Sequence, residues 1–173
     1  MLAETQYQGY SVANNAISDL GDTCVKTVCV VHQPSADIFN SSVILLGVLV
    51  IAGSYFLNRS GYGKFSVLTG FSGVAAICVG LFPENTGVVH LLASLVLFLF
   101  GGLSAIASYR HSTPPMSYLA LILGVVTLVA LILYSTGAYL GIGLGGMERM
   151  IAYPALIWVT TFGGYLMNEQ EKR

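Results

Sequence analysis

The sequence predicts an all-α fold: a polytopic membrane helix bundle with five transmembrane helices, N-terminus out and C-terminus in. Three observations predict it. Of 173 residues, 55% are hydrophobic and only 9% are charged, whereas a soluble domain carries about 25% charged residues. The apolar residues gather in five continuous runs, each near the ~20 residues that cross a hydrocarbon core as a helix. Those runs do not alternate polar with apolar, which speaks against β-barrel strands. Finally, the basic residues collect in alternate connections, the pattern that orients membrane helices.

The elements follow in order. Residues 1–37 form an outer, interfacial segment that carries "ISDLG" at 17–21. Its first fifteen residues are polar and lack the apolar stretch of a signal peptide. Span one covers 38–57 and follows Pro34 and Ser35, residue types suited to a helix start. Span two covers 65–82, span three 88–108, and span four 116–138 after Pro114–Pro115. Span five covers 147–167 and begins "MERMIAYPALIW", in which Pro154 is expected to bend the helix. Residues 168–173 are a cytoplasmic tail. Spans 38–167 make the bundle, with "GFSG" in span two and "FGGLSAIAS" in span three as the expected close-contact faces.

Arg59, Lys64, Arg110, Lys172 and Arg173 fall on one side under this topology, and that side is assigned to the cytoplasm. Glu4, Asp19, Asp22, Asp37, Glu84 and Glu148 fall on the other. Most reactive side chains therefore converge on the outer face. Glu84 stands in the turn before span three and His90 one turn into it, where a helix N-terminus disfavours the imidazolium. Such an imidazole accepts a proton or binds a metal, with Glu84 to orient it; the plainer reading is an interfacial turn acid and a hydrogen-bonded histidine. Glu148 and Arg149 open span five. Adjacent helical residues point about 100° apart, so Arg149 is expected to pair with Glu84 or Asp19, the alternative being a snorkelling interfacial arginine. In "ISDLGD", helix capping by Ser18 competes with a cation site at Asp19 and Asp22. Asp19, Glu84 and His90 are the candidate metal ligands.

Other motifs carry less. "GIGLGG" at 141–146 formally fits G-x-G-x-x-G, but it follows a membrane helix rather than a strand, so it reads as a flexible outer loop and no nucleotide is expected. His32 and His111 read as surface residues. Cys24 and Cys29 lie in the outer segment, where a disulfide requires a bend between them; Cys78 reads as a small apolar packer. The formal net charge of −1 and the absence of a basic stripe exclude nucleic acid. Membrane lipid is the expected partner, a homo-oligomer is compatible, and no cofactor is specified.

The ordered set "YSVANNAISDLG", "IFN", "GLFPENTGVVHLLA" and "GMERMIAYPALIW" resembles the prokaryotic membrane family catalogued as domain of unknown function 998. The resemblance runs over nearly the whole chain, with ISDLG and FPE-plus-His as its most specific parts. It implies that Asp19, Glu84, His90, Glu148 and Arg149 belong together, and it implies no reaction. Members of that family carry a further membrane helix before the ISDLG segment, whereas this chain begins "MLAETQYQGYS"; the resemblance therefore implies a six-helix bundle in the family.

Three functional classes follow for a multi-pass protein of the cell membrane. One binds a small ligand or cation at the outer acids and His90, as a transporter would. Against active transport, the middles of the spans contain no acid, base or inverted repeat. The second is a membrane-embedded metal-dependent hydrolase acting on lipid or headgroup. The third is a structural subunit whose polar cluster locks loops to helices.

Overall fold

The structure, a computed structural model, describes residues 2–22 and 33–171. The described elements are α1 (Leu2–Gln6), α2 (Ser35–Arg59), α3 (Gly63–Leu81), α4 (Val88–Ser108), α5 (Met116–Ser135) and α6 (Gly143–Glu171), with 3-10 turns at Ser18–Gly21, Glu84–Thr86 and Tyr109–His111. No strand occurs among the described residues. Helices α2 to α6 are each long and apolar enough to cross a membrane. Their outward faces carry exposed Leu45, Leu49, Phe56, Leu91, Ile122 and Ile132. A water-soluble protein rarely displays so large an apolar surface, whereas lipid solvates it.

The interior is correspondingly rich in small and hydroxyl side chains. Ser66, Thr69, Ser104, Ser108, Ser117 and Thr127 are buried, and several of them bond backward to their own helix, as Thr69 does to the Phe65 carbonyl. Gly47 and Gly73 bring α2 and α3 together so closely that a Cβ on Gly47 would lie 2.6 Å from the Gly73 carbonyl oxygen. Gly124 does the same on α5, with a virtual Cβ 2.8 Å from the Gly102 carbonyl of α4. These are the expected small-residue contacts. An aromatic cluster of Phe65, Trp158 and Phe162 fixes α3 to α6, and the Trp158 indole N–H donates to Ser108 Oγ at 2.9 Å.

Consecutive helices pack in series, α2 on α3, α3 on α4, α4 on α5 and α5 on α6, with a lesser contact between α4 and α6. Helices α2 and α6 do not pack as a pair. The bundle is thus an open arc rather than a closed ring, with a gap between its first and last long helices.

Two expected boundaries are corrected. The expected outer loop 139–146 ends early, because α6 begins at Gly143 and takes in most of "GIGLGG". Helix α5 stops at Ser135, before the expected 138. Helix α6 continues through Pro154. Cys24, Cys29, Lys26 and His32 lie outside the described residues.

Candidate functional site

Residues 2–22 fold back over one end of the bundle, which also holds the starts of α2 and α6, the 82–87 turn and the end of α5. The sequence of this cap dictates its two anchorages. At one edge, Leu20 and Gly21 dock on α2: Ser35 Oγ donates to the Leu20 carbonyl at 3.1 Å, and Asn40 Nδ2 to the Gly21 carbonyl at 3.0 Å. A Cβ at Gly21 would stand 2.3 Å from Asn40 Oδ1, so a larger residue there would displace the Asn40 side chain that holds the contact. The "ISDLG" and "IFN" motifs are two halves of one contact.

At the other edge, residues 12–15 lie against the first turn of α6. The Gly145 N–H donates to the Ala13 carbonyl at 3.0 Å, which satisfies one of the donors that every helix start leaves open. A Cβ at Gly143 would approach that carbonyl oxygen to 2.2 Å, and one at Gly145 would approach the Asn15 oxygen to 1.9 Å. Gly143 and Gly145 of "GIGLGG" are therefore a seat for backbone. Arg149, only 6% exposed, completes the seat. Its guanidinium donates to the carbonyls of Val12 (2.9 Å), Asn15 (3.3 Å) and Gly145 (3.0 Å), to Glu4 Oε1 (2.8 Å) and to the Tyr10 hydroxyl (2.7 Å). The Tyr10 hydroxyl in turn donates a hydrogen bond to the Ala16 carbonyl at 2.8 Å, and burial pushes its phenol up to about 12. The hydrogen bond from Arg149 holds the Glu4 carboxyl below the usual glutamate range. The expected pairing of Arg149 with Glu84 or Asp19 is corrected: Glu4, carried in by α1, takes that place.

Asp19, Glu84 and Glu148 gather around Ser18 instead. Glu148, 9% exposed, accepts from the backbone N–H of Ile17 and from the backbone and hydroxyl of Ser18. Glu84 meets the Ser18 hydroxyl and lies beside Asp19. Burial, and then the charges of Asp19 and Glu148, push Glu84 up to about 7. Asp19 itself accepts from Asn15 Nδ2 (2.9 Å) and the Ala16 N–H (3.0 Å). Among the described residues Arg149 is the basic side chain that forms an ion pair at this end, and it pairs with none of these three acids. One carboxylate oxygen, Glu84 Oε2, is buried with no hydrogen-bond partner. Ser18, expected as a helix cap, is instead the first residue of the 3-10 turn, with Ile17 at the cap position.

His90 belongs to the same end, one turn into α4. It is 8% exposed, and its Nδ1 lies 2.8 Å from the Phe82 carbonyl oxygen at the end of α3. A carbonyl only accepts, so Nδ1 carries the hydrogen, and of the two neutral tautomers this bond selects the one in which Nε2 is the acceptor. Asp19, Glu84 and His90 therefore do not converge as ligands, and no group of three His, Cys, Asp or Glu side chains with metal-binding geometry occurs among the described residues.

Beneath the cap, in the gap between α2 and α6, lies a cavity of about 340 Å³. Ser18, His90, Glu148 and Tyr153 give it a polar end, and Ala76 and Trp158 belong to its apolar walls. Of the five side chains expected to act together, Glu148 and His90 reach this space, Asp19 and Glu84 stand behind Glu148, and Arg149 is committed to the cap. Glu4 and Tyr10 were not anticipated. The requirement of a buried arginine for an acid was the available signal for the first, but nothing in the spacing names which acid.

No significant match exists among curated proteins or solved structures. A family profile described as "Protein of unknown function (DUF998)" matches residues 1–165, which span the cap, the acids around Ser18 and nearly all of the bundle. The chain belongs to that family.

Proposed function

We propose that this protein is a binding protein of the cell membrane that takes up a small cationic group, an amine, at its capped end, with that end facing outward. One observation carries the reading. Glu148 is buried at the polar end of a cavity, two further carboxyls stand behind it, and the neighbouring arginine is engaged elsewhere. A buried carboxylate without a base holds a proton or attracts a cation. An ammonium donates three hydrogens, and the acceptors beside the cavity are Glu148, His90 and Ser18. The Arg149 clamp has the separate, structural task of holding the cap.

The test uses hexylamine as probe and hexanol as control, with thermal unfolding of the protein in lipid nanodiscs at pH 8 as the readout. Hexylamine is expected to raise the midpoint, and Glu148→Gln to abolish the rise. An equal rise with hexanol, or an undiminished rise in Glu148→Gln, refutes the reading.

A further inference from the structure

The capped cavity is not the end of the gap between α2 and α6. A second cavity of about 450 Å³ continues it toward the far end of the bundle, past Phe56, Phe162 and Leu166. Leu46, Val50, Thr69, Trp158 and Val159 line both, so the two are consecutive lengths of one groove. From Glu148 to Leu166 the groove follows eighteen residues of α6, about 27 Å at 1.5 Å per residue. That matches the ~30 Å hydrocarbon core. Its walls are apolar, and its acidic groups are confined to the capped end.

We infer that this groove holds one alkyl chain of an amine-headed amphiphile drawn from the bilayer, with the amine at Glu148 and the chain running past Trp158. This rests on the amine reading of the capped end and adds the substrate class. The groove opens sideways, because α2 and α6 do not pack together, so a bilayer amphiphile reaches it without crossing water. A chain leaving bilayer lipid for an apolar wall gains little, since the two environments are equally apolar. Selection therefore lies with the head: among the described residues no lysine or arginine pairs with the acids around Ser18, and none lines the cavity end they form. Charge complementarity thus names the occupant: an amine rather than a carboxylate or an uncharged alcohol.

Trp158 is the single tryptophan of the chain and forms part of the wall common to both cavities, so its fluorescence reports the groove directly. The protein in nanodiscs is titrated with an ω-brominated alkylamine, the fatty acid of equal length and the corresponding alcohol, bromine being a contact quencher. The amine is expected to quench Trp158 at about fivefold lower mole fraction than the other two, the effect of one favourable charge contact. Glu148→Gln should remove that preference while leaving quenching. Val50→Phe and, independently, Leu46→Phe should fill the groove and suppress quenching by all three probes. Equal quenching by the three heads overturns the amine selection while the groove stands. Quenching unaffected by both phenylalanine variants overturns the groove itself.

Discussion

Replacing Arg149 by Met, alone and together with changes at Glu4 or Glu84, separates the clamp from the acid group. The guanidinium is almost wholly buried and serves three carbonyls, a carboxylate and a phenol. Removing one partner of a buried pair costs about 3–5 kcal/mol. Glu4 keeps 20% of its side chain exposed, so water recovers part of its solvation, and the loss for Arg149→Met is placed at about 3 kcal/mol. Glu4→Gln keeps a hydrogen-bonding side chain of the same shape and should cost about 1 kcal/mol. In the double mutant the charge no longer lacks its partner, so the two losses should fall short of their sum by about 1 kcal/mol. Arg149→Met and Glu84→Gln share no contact and should add to within about 0.5 kcal/mol. Reversible unfolding in mixed micelles measures all of these. Coupling of Arg149 to Glu84 with none to Glu4 would refute the division of the capped end into a clamp and an acid group.

Gly145→Ala drives a Cβ into the backbone of Asn15 and should cost about 1–3 kcal/mol, with faster amide exchange over residues 10–20; Gly163→Ala, which meets nothing within 4 Å, should not destabilise. Glu84 binds its proton more tightly when folded, about 7 against 4.5 for an ordinary glutamate. Its contribution is therefore full below pH 4.5 and lost as the pH rises through 7. With solvent screening at the turn the loss should be about 1–2 kcal/mol, and a stability-against-pH profile of Glu84→Gln should lack it. Cysteines at the exposed positions Ser60 and Thr86 should be labelled from opposite sides of the membrane, Thr86 from outside; labelling of both from one side contradicts the topology.

The spans were legible because a bilayer demands length and apolarity, and composition records both. Prolines 34, 114 and 115 marked helix starts for the same local reason. The start of α6 was not legible: four glycines in six residues read as loop, and the last three of them are helical against a backbone about eleven dozen residues away in sequence. The meeting of Asp19, Glu84 and Glu148 followed from topology alone, since loops on one side of an up-and-down bundle share a face. The partner of Arg149 did not follow, because Glu4 sits in a polar lead with no pattern to set it apart. His90 was placed at the correct helix end, but its bond to Phe82 depends on how α3 terminates, which no spacing encodes.

The cap is fastened to α2 through Leu20 and Gly21 and to α6 through Val12, Ala13 and Asn15, so it works as a lintel across a doorway whose two posts make no extended contact of their own. Sideways tension that draws the posts apart is carried at this end by hydrogen bonds to the main-chain carbonyls of the cap. At the sill, the described restraint is side-chain packing, with Leu57 and Tyr62 against the Phe65–Trp158–Phe162 cluster. Stiffness is therefore graded along the doorway, and a bilayer that thins or stretches widens it from the sill upward, leaving the carboxyls under the lintel at a fixed span.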